Sequence, residues 1–212
     1  MTKTLLQILG EKYNTDKSHT SHSFQNKTYC DTYDRYFKDI RHEIKCIVEI
    51  GVLGGSSIKM WQEYFPNAII YGIDIDERAK QYESNRIKII IGDQNNSEFL
   101  NKIKNEIGEI DILIDDGSHI NRHIIHSYSV LKDNVKKFYI VEDLSCSYES
   151  NNLNDIRKLW QGQNLNDNND DLKNYRHELE TWFKKEIELI DGKNSKWNAI
   201  HFHNWIMMFE KI

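Results

Sequence analysis

From residue 46 the chain alternates short apolar runs with segments of helical periodicity. The runs CIVEIG (46–51), AIIYGID (68–74), IKIIIGD (87–93), IDILIDD (110–116) and FYIVED (138–143) are nearly continuous in Ile, Val and Leu, the pattern of strands buried on both faces. Between them lie 56–65, 76–84, 97–107 and 119–133, each with apolar residues at helical spacing. Five strands alternating with four helices predict right-handed crossovers and a parallel sheet covered by helices on both faces. Residues 177–190 predict a further helix. WNAIHFHNWIMMFEKI (197–212) predicts two strands joined by a tight turn near His203 and Asn204, an antiparallel hairpin that closes a seven-stranded α/β sheet.

The ends of the chain read differently. Residues 1–45 predict two helices around a turn-rich loop at 13–27, taken as a helical cap with a lid. Tyr29, Tyr33, Tyr36 and Phe37 read as the packed face of the second helix. Residues 46–212 form the main domain, with an irregular segment at about 145–195 expected on the acceptor side. A chain of 212 residues suits one sizeable core. Its net charge of -5 gives no footprint for nucleic acid or an anionic membrane. No apolar run reaches membrane-span length, and Cys30, Cys46 and Cys146 lack metal or disulfide spacing. These features set the expectation of a cytoplasmic protein.

Open α/β sheets bind ligands beyond the carboxyl ends of their strands, and here those ends are rich in chemistry. The first strand enters 49-EIGVLGGSS-57, where Gly51 permits close approach to the backbone and Gly55 and Ser56 open a helix. Leu53 stands where a dinucleotide fingerprint needs glycine. The next strand ends in Asp74, placed for ribose hydroxyls, and the third in Asp93 and Gln94, placed for an adenine edge. This set suits an adenosine carrying an amino acid. Adjacent strands then end in 115-DDGSH-119 and 142-ED-143. Carboxylates so close stay ionised only beside a compensating cation, and oxygen ligands favour Mg²⁺. Helix capping by Asp116 and Ser118 is the alternative for the first pair. His119, His123 and His126 have zinc-like spacing, but the latter two fall deeper along the helix and away from the rim.

Taken together, E-x-G-x-x-x-G-x-S at 49–57, YGIDID at 71–76, GDQ, DILIDDGSH and VEDL resemble the class I S-adenosylmethionine methyltransferases. Within them the chain is similar to the metal-dependent sugar O-methyltransferases of macrolide biosynthesis, over about residues 10–150 and again at 200–211. KDNVKK (132–137) replaces that group's proline-glycine turn. The resemblance implies a Rossmann-like class I methyltransferase fold and transfer of a methyl group from S-adenosylmethionine to a hydroxyl of a sugar or other polyhydroxylated small molecule. It implies Glu49, Gly51, Gly55, Ser56, Asp74, Asp93, Gln94 and Asp115 at the cofactor, Mg²⁺ or a similar divalent metal on Asp116, Glu142 and Asp143, and His119 as general base. Asp16 and Lys17 are expected either at the cofactor or in a solvated loop, Tyr148 against a glycosyl acceptor, and Trp160 either there or in packing. A homo-oligomer is left open. The alternatives are an amine or phosphoryl-linked acceptor, and a noncatalytic sensor of an adenosine ligand.

Overall fold

Threonines start both N-terminal helices. The side chain of Thr4 accepts from Gln7 N ahead of α1 (Leu5–Tyr13). Thr28 and Asp31 form a reciprocal capping box at the start of α2 (Tyr29–Phe37). The computed structural model describes residues 3–19, 27–147 and 174–211. Beyond α2 come β1 (Cys46–Ile50), α3 (Ser56–Tyr64), β2 (Ile69–Asp74), β3 (Ile87–Ile91), α4 (Ser97–Ile107), β4 (Ile110–Asp115), α5 (Asn121–Leu131), β5 (Val135–Val141), α6 (Arg176–Asp191), β6 (Ala199–His203) and β7 (Ile206–Glu210). Short 3-10 turns occupy Asp16–Ser18, Glu77–Tyr82 and Leu144–Ser147.

The seven strands are ordered β3-β2-β1-β4-β5-β7-β6. The first five are parallel, and β7 runs antiparallel to both β5 and β6, which is the mixed sheet the hydrophobic pattern predicts. Two-residue alternation divides the core into two layers. Ile47, Ile70, Ile112, Ile114, Phe138 and Ile140 pack with α1, α2 and α3. Val48, Ile50, Leu113, Tyr139, Val141 and Phe209 pack with α4, α5 and α6. The N-terminal helices therefore share the core of the sheet.

Three segments depart from the sequence pattern. Residues 77–82 form a 3-10 turn capped by Asp76 rather than a longer helix. The helix expected from His119 begins at Asn121, because His119 is left-handed (φ 55°) and Ile120 is extended. In place of a proline-glycine turn, Asn134 holds the approach to β5 by donating to Lys104 O (3.1 Å) and Gly108 O (2.8 Å). Tyr148 and Trp160, residues 20–26 of the expected lid and most of the expected acceptor-side segment lie outside the described residues.

The register aligns the site. Ile50 pairs with Ile73 on one side and with Asp115 on the other, and Asp115 pairs with Val141. Gly51, Asp116 and Glu142 thus leave three neighbouring strands at one level.

Candidate active site

Gly51 adopts φ 93°, and a Cβ there would lie 2.1 Å from Asp116 O, so only glycine lets β1 turn against the β4 loop. Asp74 braces this turn. Its Oδ2 accepts from Val52 N (2.8 Å) and Leu53 N (3.0 Å), and its Oδ1 from Asp76 N (2.9 Å). With two lone pairs per oxygen, Oδ1 is the atom with an acceptor position to offer a ligand. Gly55 caps α3 in a left-handed conformation and backs onto the Tyr82 ring, and Ser56 opens the helix. Asp93 is exposed and accepts from Asn95 N (2.8 Å).

Alternation sends the adjacent carboxylates Asp115 and Asp116 to opposite faces. Asp115 is 1% exposed and accepts from Ser127 Oγ of α5 (2.6 Å) and from Gln94 Nε2 (3.1 Å). Burial raises its pKa against these donors. Gln94 also accepts from Ser118 N (2.7 Å) and is itself buried, so its amide braces the 115–118 loop from behind. Of the four carboxylates expected to converge, Asp115 stands apart.

On the α3 side the cation is a protein side chain. Lys17, 2% exposed, places its ammonium 2.5 Å from Asp116 Oδ2 and 2.6 Å from Glu142 Oε2, with Glu49 Oε1 at 3.7 Å. Burial alone would lower the lysine pKa, but Asp116, Glu142 and Glu49 outweigh it and hold it well above the ordinary value. Ser57 Oγ (2.7 Å) and Trp61 Nε1 (3.2 Å) of α3 donate to Glu49. Burial still pushes Glu49 up to about 7. Glu142 is raised well above the carboxylate range by burial, with Lys17 opposing and Asp116 and Asp143 adding to the rise. Helix α2 completes the cluster: Tyr33 OH donates to Glu142 Oε1 (2.5 Å), and Tyr29 OH to Asp143 Oδ1 (2.7 Å).

Above this buried layer the rim is partly open. Asp116, His119 and Asp143 have side chains 21%, 19% and 22% exposed, and one ligand atom from each lies within 4.8 Å of the others. His119 Nε2 is 4.0 Å from Asp116 Oδ1 and 3.8 Å from Asp143 Oδ2. Both His119 and Asp143 have positive φ (55° and 54°), which aims them from sharp loops rather than from regular structure. Asn174, buried just before α6, ties those loops together. Its Nδ2 donates to His119 O (2.8 Å) and Cys146 O (2.7 Å), and its Oδ1 accepts from Asn121 N (2.8 Å). His123 and His126 bond to Ser118 and Ser97 instead of joining His119, so the zinc spacing is coincidental.

Lys17, expected at the cofactor or in a solvated loop, is instead buried among carboxylates, Tyr29 and Tyr33, expected as packing, also donate to them, and Asn174 is not foreseen from the sequence. The tyrosine spacing of four along α2 was the available signal for hydroxyls on one face. Lys17 and Asn174 are recognisable only once distant segments are brought together.

The strand order, the antiparallel closing hairpin and the glycine turn define the class I methyltransferase fold. No family model matches the chain. The mycinamicin VI 2''-O-methyltransferase of Micromonospora griseorubida is 40% identical over 152 residues, 68% of this chain and 37% of that protein. The demethylmacrocin O-methyltransferase of Streptomyces fradiae is 36% identical over 152 residues, with the same 68% and 37% covered. Among solved structures, the MycE methyltransferase of the mycinamicin pathway, in complex with Mg, S-adenosylhomocysteine and mycinamicin VI, superposes with a TM-score of 0.74 at 31% identity, over 99% of this chain and 55% of that one. The chain is a homologue of these macrolide-sugar O-methyltransferases and spans 37% of the length of the curated relatives it matches.

Proposed function

We propose that the chain transfers a methyl group from S-adenosylmethionine to a hydroxyl of a sugar or other polyhydroxylated small molecule, assisted by Mg²⁺ or a similar divalent ion. The observation that carries this reading is the meeting of Asp116, His119 and Asp143 at the carboxyl ends of β4 and β5, next to the Gly51 turn. The names of the relatives support the acceptor class, and the Mg and S-adenosylhomocysteine bound by MycE support the two cofactors.

The residues present fit such an ion. Carboxylate oxygens are hard donors, and the buried Lys17 ammonium already stands in for a cation among them. Asp116, Glu142 and Asp143 would hold the ion, whose chemistry is to acidify a coordinated hydroxyl. The chain does the rest. Asp74 and Asp93 hold the adenosine, and the Gly51 turn leaves room for the amino-acid end. Asp115 and Gln94 act from behind by fixing the 115–118 loop. His119 accepts the hydroxyl proton at Nε2 as the methyl carbon bonds to oxygen and its bond to sulfur breaks, leaving S-adenosylhomocysteine.

The test is methyl transfer from labelled S-adenosylmethionine to a panel of glycosides and sugar nucleotides, with Mg²⁺ or with EDTA. Turnover should require the metal and return when it is restored. His119→Ala should lose roughly 10² to 10⁴-fold in rate, with a deficit that shrinks as pH rises and the hydroxyl ionises unaided. Full activity in EDTA would return the carboxylates to a structural role. Binding of S-adenosylmethionine without any turnover across the panel would favour the sensor.

A further inference from the structure

The ammonium of Lys17 is held by carboxylates that a divalent ion would need. Asp116 and Glu142, the two carboxylates it touches, are also two of the three ligands proposed above. Lys17 holds Asp116 Oδ2 and Glu142 Oε2 while Tyr33 holds Glu142 Oε1, so both oxygens of Glu142 are engaged, and an ammonium and a divalent ion side by side in this dry cluster would repel strongly. The segment that carries Lys17 is held to its neighbours by a small polar hub. Gln7 Nε2 donates to Ser18 O (3.1 Å), Thr28 Oγ1 donates to Gln7 Oε1 (2.6 Å), and Ser18 Oγ donates to Thr15 O (2.7 Å). Gly10 of α1 admits this turn, since a Cβ there would meet Ser18 Cβ at 2.7 Å and Cys30 Sγ at 2.9 Å.

We infer that Lys17 is the resident cation of this cluster and exchanges with the divalent ion, so that metal loading withdraws Lys17 and shifts the Asp16–Ser18 turn against α1 and α2. In the metal-free protein Lys17 keeps Glu49, Asp116 and Glu142 compensated. In the loaded protein the ion does so, and the turn between the first two helices is released. The site is thereby linked to the N-terminal segment by competition of two cations for the same carboxylates. This inference rests on the proposed metal reading.

The experiment combines amine labelling with calorimetry. The wild-type chain is treated with an acetylating N-hydroxysuccinimide ester with and without saturating Mg²⁺, and labelling at Lys17 is followed by peptide mass spectrometry against the exposed Lys38 and Lys88. Lys17 should be protected without metal and should label at least about tenfold faster with it, because a buried ammonium becomes accessible. Mg²⁺ should bind Lys17→Met about tenfold or more tightly than wild type, since a competing charge has gone, whereas Lys17→Arg should stay close to wild type. Mg²⁺ bound to the wild type with Lys17 still protected would overturn the exchange and leave the metal reading standing. Equal or weaker binding by Lys17→Met would overturn it as well. No binding of Mg²⁺ by the wild type would overturn the metal reading itself. The labelling arm needs only the wild-type chain, so it holds even if Lys17→Met fails to fold without metal.

Discussion

Glu49 shows how far one buried residue can set the behaviour of the site. Its pKa of about 7, against an ordinary value of 4.5, means that the folded state binds its proton more tightly than the unfolded state does. That stability is fully present below about pH 4.5 and is lost as pH rises through 7, up to about 3 kcal/mol in all. Glu49→Gln should remove this loss, so urea unfolding in EDTA at pH 5 and pH 8 should show a smaller difference for the variant than for wild type. Asp74 carries two burdens, the turn and the expected ribose contact. Asp74→Ala should weaken S-adenosylhomocysteine by roughly 2 to 4 kcal/mol in calorimetry, and Asp74→Asn by less, since an amide keeps one acceptor oxygen for the backbone. The acidic residues were legible in the sequence because each ends an apolar run at the carboxyl edge of a parallel sheet, where such sheets bind ligands. Lys17 was not, because its partners lie 99 and 125 residues away. Tyr33 was read as packing and does stack on Phe37 at 5.5 Å, while its hydroxyl serves Glu142; one spacing satisfies both uses.

At the scale of elements, strands and helices were legible because the two-residue and 3.6-residue periods are local properties. The loops that aim the chemistry were not. The pattern carried the helix after β4 back to His119, whereas the backbone reverses there at positive φ and α5 starts two residues later. That geometry is maintained from outside by Asn174, which joins the loop after β4 to the turn after β5 and to the first amide of α5. Asn174→Ala would leave the His119 and Cys146 carbonyls without their donor and should cost about 1 to 3 kcal/mol in thermal or urea unfolding. The same change should lower kcat more than it weakens S-adenosylhomocysteine, because Asp74 and Asp93 are fixed by the amides of Val52, Leu53, Asp76 and Asn95 and not through the His119 loop. Equal losses in both would mean that Asn174 supports the fold in general and not the His119 loop.

For the whole molecule, two helical layers on one twisted sheet bring the N-terminal helices, the first strand and the last parallel strand to a common rim, and among the described residues no helix is long and apolar enough to cross a membrane. The number of strands and the antiparallel closing hairpin followed from the alternation of runs, while the closure of the N-terminal turn over the rim depended on side chains that no local pattern connects. The distance in sequence between Lys17 and its carboxylates ties the N-terminal turn to the finished sheet. Lys17 and Glu142 lie 125 residues apart, so their contact closes a long loop of chain and is costly in entropy until the sheet has formed. The Asp16–Ser18 turn is therefore expected to lose protection before the parallel strands do in native-state amide exchange, because its partners exist as a cluster only when β4 and β5 lie side by side.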